Sequence, residues 1–170
     1  RIAVDPKRGF VYWGEVGPDG NKPAADRGPE GHDEVGQARQ AGNFGWPHFV
    51  GDNKAYNKFD FAAHKSGEKW DVNAPSNTSP SNTGLKVLPP AQKAFIWYPY
   101  AESKEFPLVG SGGRNAMAGP TFYSENFKTA PHAFPKYYDG KLLIYEWMRG
   151  WIMAVTMDKD GNYVSMERFM

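Results

Sequence analysis

The sequence predicts an all-β protein, and three observations lead there. Aromatic residues make up 15% of the 170 residues, with six Trp and nine Tyr beside 19 Gly and 14 Pro. Such a chain is too aromatic to stay disordered and too rich in turn formers to be mainly helical. Its apolar runs are short and stop at Gly, Pro, Asn or Asp, as strands do. Four of these runs follow one another at the C-terminal end with only tight turns between most of them.

In chain order, residues 1–4 open as strand-and-turn sequence. Residues 10–16 then form a strand after the turn Asp5-Pro6-Lys7-Arg8-Gly9, and the strand stops at Gly17-Pro18. Residues 19–92 carry little periodicity and read as a long loop-rich insertion, with the Ser-, Asn- and Pro-rich stretch 73–84 as a surface loop. Residues 94–98 are apolar throughout, as in a strand covered on both faces. Residues 116–123, 141–147, 151–157 and 163–169 form four more strands. Asp139-Gly140 and Lys159-Asp160-Gly161-Asn162 supply the positive φ angles that tight turns need.

Four antiparallel strands in a row make one propeller blade, here residues 115–170, because a free-standing meander leaves two open edges and one apolar face. Residues 5–16 read as the end of an earlier blade. The strands amount to roughly two blades, against about four to eight in a closed propeller. The chain therefore reads as an internal fragment, residues 1–170, of a single propeller domain whose remaining blades are its first partner. Trp13, Trp97, Trp147 and Trp151 are expected between blades.

Charge excludes several classes. Lys and Arg number 20 against 19 Asp and Glu, so no basic face points to nucleic acid. No run approaches the roughly 20 apolar residues of a membrane span. The absence of Cys excludes disulfides and thiolate metal sites. The four His fit no zinc spacing. Calcium suits the acidic loop better, since it takes oxygen ligands at flexible spacing. Asp33, Glu34 and Asp52 bring charge there, and the Phe44 and Val50 carbonyls lie on turns able to curl around an ion. Glu15, at a strand end, reads either as a ligand contact or as a rim carboxylate paired with an Arg. Trp46 reads as a packing anchor and Arg114 as part of a surface ion pair.

Three segments in order carry a family resemblance: Glu15-Val16-Gly17-Pro18, Gly28-Pro29-Glu30-Gly31-His32-Asp33-Glu34, and Gly42-Asn43-Phe44-Gly45-Trp46-Pro47. Together with Gly119-Pro120-Thr121 and Met148-Arg149-Gly150, they resemble the glucose/sorbosone dehydrogenase family. The resemblance implies a six-bladed β-propeller that holds pyrroloquinoline quinone (PQQ) and calcium and oxidises a sugar or sugar aldehyde. It also implies a periplasmic or secreted location and a cytochrome as electron acceptor. Cofactor contacts would come from Val16, Gly17, Pro18, Thr121, Met148 and Arg149, and metal ligands from Gly17, Pro18, Glu34, Phe44, Val50 and Asp52.

Either Gly17-Pro18 or Gly28-Pro29 would present the calcium-binding carbonyls. Met148 stands where the family has a Lys, and a thioether cannot donate to a quinone oxygen. No His matches the family's catalytic base, so the fragment alone is expected to be inactive. Two other classes stay open. One is a non-catalytic propeller binding carbohydrate or protein, and the other is a calcium-dependent, lactonase-like hydrolase.

Overall fold

The computed structural model describes residues 2–170. It contains twelve strands: β1 (Ile2–Val4), β2 (Val11–Glu15), β3 (Asp33–Ala38), β4 (Phe49–Val50), β5 (Lys54–Ala55), β6 (Asn57–Asp60), β7 (Lys65–Lys69), β8 (Ile96–Tyr98), β9 (Ala116–Thr121), β10 (Leu142–Glu146), β11 (Trp151–Met157) and β12 (Tyr163–Arg168). Short 3-10 turns are the only helical elements among the described residues, so the protein is all-β. None is long and apolar enough to cross a membrane.

The strands form two four-stranded antiparallel sheets and two hairpins. The second sheet, β9-β10-β11-β12, is the meander expected at residues 115–170. The first has the order β1-β2-β3-β8. Residues 5–16 thus belong to the opening half of a four-stranded sheet rather than to the end of an earlier one.

The sequence reading also missed β3, which lies inside the supposed insertion. Its acidic start and internal Gly36 give it the composition of a loop, yet it pairs with β2 and β8 at the centre of the sheet. The hairpins β4-β5 and β6-β7 lie in the excursion between β3 and β8.

The two sheets pack face to face with their strands in matching order. β9, first in its sheet, lies across β1, β2 and β3. At the other side, Tyr163 on β12 meets Phe95 and Phe106, which flank β8, with ring centroids 6.2 and 5.3 Å apart. Tyr12, Val35, Ile96 and Tyr98 face Ile144, Trp151, Met153 and Val155 in one buried core. Burial of such side chains contributes about 1.5–3 kcal/mol each.

The tryptophans divide. Trp151 is buried between the sheets and Trp97 is buried on the face of β8 shared with Glu34, while Trp147 sits in the β10–β11 turn with 73% of its surface exposed. Trp13 faces away from the second sheet and meets the edge of the Phe44 ring at 4.9 Å.

β2 and β9 approach so closely that only glycine fits at position 14, where a Cβ would overlap the Ala116 carbonyl and Met117 Cα. Gly14→Ala is therefore expected to destabilise the fold by about 2–3 kcal/mol, read from the shift in urea midpoint. Gly67→Ala is the control, because a Cβ there meets nothing closer than 3.8 Å. Its effect should stay within about 0.5 kcal/mol.

Candidate functional site

The stacked sheets bring several of the singled-out residues to one end. β2 finishes there at Glu15 and leads into Val16-Gly17-Pro18, and β3 begins there at Asp33. β8 ends there at Tyr98, β9 begins there at Ala116, and the β10–β11 turn carries Trp147, Met148 and Arg149.

Asp33 organises this end. Its side chain is fully buried and accepts hydrogen bonds from the Gly17 amide (3.2 Å) and the Ala116 amide (2.9 Å). Arg114 Nη1 lies 3.5 Å from Asp33 Oδ1, and Arg114 Nη2 donates to the Pro18 carbonyl at 2.9 Å. The Arg114 guanidinium also covers the Tyr100 ring, 4.0 Å from its centroid. Burial raises the Asp33 pKa, opposed by the Ala116 amide and the Arg114 charge. Arg114 is thus half of a buried pair, not the surface ion pair expected from the sequence.

The glycine-proline corner is tight. Gly17 and Gly31 each lie where a Cβ would overlap the other segment's carbonyl, that of His32 or Pro18 respectively. Of the two Gly-Pro pairs, Gly17-Pro18 is the one held against Asp33. Gly28 instead closes a turn on Ala24 and packs on Ala55 and Tyr56.

A second buried carboxylate, Glu146, accepts from the Tyr98 hydroxyl and from the Met148 amide (2.9 Å). Burial and the Glu146 charge push the Tyr98 pKa up, so the phenol keeps its proton and donates. Neither Tyr98 nor Glu146 was singled out from the sequence. The signal was there, because Leu142, Ile144 and Glu146 alternate onto one buried face.

Arg149 clamps the 99–113 loop. Its guanidinium donates to the carbonyls of Pro99 (2.6 Å), Gly110 (2.8 Å), Gly113 (2.9 Å), Val109 (3.2 Å) and Gly112 (3.2 Å). Val16, Trp147 and Met148 are the apolar side chains left exposed at this end.

Thr121 does not join the others. It pairs with Leu142 at the far end of β9, and its buried Oγ1 has no hydrogen-bond partner among the described residues.

The remaining metal candidates lie on the opposite face of β3, because successive residues of a strand point to opposite sides. Glu34 accepts from the Gly51 amide and stands directly across from Glu15 in the β2–β3 ladder. Glu15 accepts from Trp13 Nε1 at 3.1 Å, so its partner is an indole rather than an Arg. Val50 lies in β4 beside Gly51, and Asp52 is paired with Lys54. That pairing outweighs burial and lowers the Asp52 pKa. Phe44 packs its ring on Trp13.

Burial, then the charges of Glu15 and Asp33, raise the Glu34 pKa to about 8 against the opposing Gly51 amide. His32 is buried with Nδ1 3.1 Å from the Glu30 carbonyl, and burial lowers its pKa. His48 stacks on Trp70 at 3.8 Å.

Calcium does not fit either place as arranged. The Pro18 carbonyl already accepts from Arg114 and from the Gly20 amide (2.8 Å), and a guanidinium beside it repels a cation. Around Glu34, no three His, Asp or Glu side chains converge among the described residues. For the quinone, the two arginines at this end are already engaged with Asp33 and with loop carbonyls. No family model, curated protein or solved structure matches the chain.

The raised Glu34 pKa has a consequence for stability. Between the ordinary glutamate value of 4.5 and about 8, the folded state binds a proton that the unfolded state has lost. Its contribution is therefore full below the lower value and is lost as pH rises through the upper one. Glu34→Gln keeps an acceptor for the Gly51 amide and removes the titration. The variant should gain on the wild type by up to about 5 kcal/mol between pH 5 and 8, read from urea melts. A pH-independent difference would contradict it. The lowered pKa values of His32 and His48 act with opposite sign but are common to both proteins.

Proposed function

We propose that the chain forms two adjacent blades of a six-bladed β-propeller of the glucose/sorbosone dehydrogenase kind. In this reading the whole propeller oxidises a sugar or sugar aldehyde with PQQ, and these two blades form part of its wall. A periplasmic or secreted location and a cytochrome acceptor belong to the same reading. The observation that carries it is the Gly17-Pro18 corner, reached directly from the end of β2 and fixed by Asp33 and Arg114 where β2, β3 and β9 meet.

The stacking of two four-stranded meanders in matching order supports the propeller part. Successive blades pack this way, with each sheet covering a face of the next. The motif order Glu15-Val16-Gly17-Pro18 to Gly42-Asn43-Phe44-Gly45-Trp46-Pro47 supports the family part.

Within this reading the residues of these two blades position backbone rather than react. Arg114 and Asp33 fix the corner, Glu146 holds the Met148 amide, and Arg149 fixes the 99–113 loop.

One observation favours a second reading, a propeller that binds carbohydrate without a cofactor. Met148 offers no donor where the family has Lys, and the adjacent Arg149 turns its donors to backbone carbonyls.

Reconstitution with PQQ and calcium separates the two readings. The whole propeller should reduce an artificial dye when glucose is added, and residues 1–170 alone should not. Dye reduction by the 170-residue chain alone would contradict the scaffold role. No dye reduction by the whole propeller would leave the binding reading.

A further inference from the structure

We infer that this protein binds a phosphate monoester of a flat-ringed compound, a nucleoside monophosphate in type, at the end of the sheets opposite Gly17-Pro18. A cleft of about 590 Å³ opens there between the end of β3, the segment leading into β8 and the start of β12. Its size lies within the range of small-ligand sites. Arg39 and Lys93 line it, and no Asp or Glu does. Both cations are exposed, and among the described residues neither makes an ion pair.

Arg39 is held in place by neutral groups and keeps its charge. Its Nε donates to Gln37 Oε1 at 2.9 Å and its Nη2 to Asn162 Oδ1 at 2.7 Å, with the guanidinium over the Phe10 ring at 5.1 Å. Both acceptors are anchored in turn. Gln37 Nε2 donates to the Tyr12 hydroxyl (3.0 Å) and the Gly161 carbonyl (2.9 Å), and Asn162 Nδ2 donates to Asp158 Oδ2 (2.9 Å). The acids of the β11–β12 turn are engaged within it. Asp158 Oδ1 accepts from the Asp160 and Asn162 amides, and Asp160 pairs with Lys159. Among the described residues, Arg39 Nη1 makes no hydrogen bond, which leaves one edge of the exposed guanidinium open to a ligand.

Charge and shape narrow the ligand. Two cations without partners match the roughly −2 charge of a phosphate monoester near neutral pH, whereas a carboxylate would leave one of them uncompensated. The planar guanidinium suits phosphate oxygens, and Lys93 adds a mobile point charge. The rest of the wall is largely aromatic, with Phe95 and Tyr163 half-buried and Trp97 and Phe106 buried. Trp97 meets Phe106 at 5.0 Å, Phe106 meets Tyr163 at 5.3 Å, and Tyr163 meets Phe95 at 6.2 Å, so the rings form one continuous surface. Lys93 Nζ stands 5.9 Å from the Trp97 ring, which sets charge beside that surface. A planar ring would cover it, and an inorganic anion would not. The exposed Gln92 carboxamide offers both a donor and an acceptor to the polar edge of such a ring.

The cleft shares no residue with the glycine-proline corner, so its test and the dye assay can fail separately. The test is titration of the full 170-residue chain with adenosine monophosphate (AMP) at low salt, followed by amide NMR shifts. Shifts should gather at Arg39, Lys93, Phe95 and Tyr163. Lys93→Gln, at an exposed position without an ion-pair partner, should weaken AMP binding about tenfold with an unchanged melting temperature. Arg39→Gln should weaken it at least as much, and Lys93→Gln decides the matter if loss of the Arg39 contacts lowers stability. Adenosine, which lacks the phosphate, and inorganic phosphate, which lacks the ring, should each bind about tenfold or more weakly than AMP. No shifts up to about 10 mM AMP, well above a millimolar dissociation constant, would overturn the inference. So would equal AMP binding by Lys93→Gln, inorganic phosphate binding as tightly as AMP, or a preference for benzoate or an acidic peptide.

Discussion

The buried Asp33 carboxylate is the constraint on which the rest of this architecture depends. An isolated charge in a protein interior is costly, so it must be met by donors or a counter-ion. Asp33 draws its partners from three places far apart in sequence: the Gly17 and Ala116 amides as donors and the Arg114 guanidinium as counter-ion. One side chain thereby fixes the corner after β2, the start of β9 and the loop before it. At the far end of β9 another buried carboxylate does related work. Asp5 accepts from the Tyr123 hydroxyl (2.7 Å), the Lys7 amide (2.9 Å) and the Arg8 amide (3.0 Å). The second sheet is thus tethered to the first at both ends of its first strand, and the apolar core fills the space between.

These tethers shape what the motif end can do. Arg114 neutralises Asp33 and also occupies the Pro18 carbonyl, so the corner is an electrostatically closed unit. Arg149 and Glu146 are likewise turned inward, to loop carbonyls and to Tyr98. The exposed apolar surface lies next door, where Trp46, Phe59 and Phe61 face solvent.

Much of the fold was legible because its strands are bounded by strong local signals. The second sheet follows Asp139-Gly140 and Lys159-Asp160-Gly161-Asn162, and its strands fall within two residues of their expected bounds. β3 was hidden because two acids and an internal Gly give Asp33–Ala38 the look of a loop. Its strand character comes from pairing on both sides and from Asp33 finding donors in the other sheet, which no local window contains.

The site was legible in part. Val16, Gly17, Pro18, Met148 and Arg149 do come to one end, since strand ends and turns are readable. Thr121 lies at the opposite end, because the strand from Ala116 carries it the full length of the sheet. Glu34 and Asp33 are adjacent in sequence yet face opposite sides, and the acidic segment read as a single ligand cluster is divided by the pleat.

The most direct test of the central claim is a double-mutant cycle on the buried pair, using Asp33→Asn, Arg114→Met and the double variant in urea melts. If Asp33 and Arg114 hold the corner together, each single change should be strongly destabilising. The double variant should recover about 2 kcal/mol or more relative to their sum, because neither buried charge is then left alone. Losses that add to within about 0.5 kcal/mol would contradict the account.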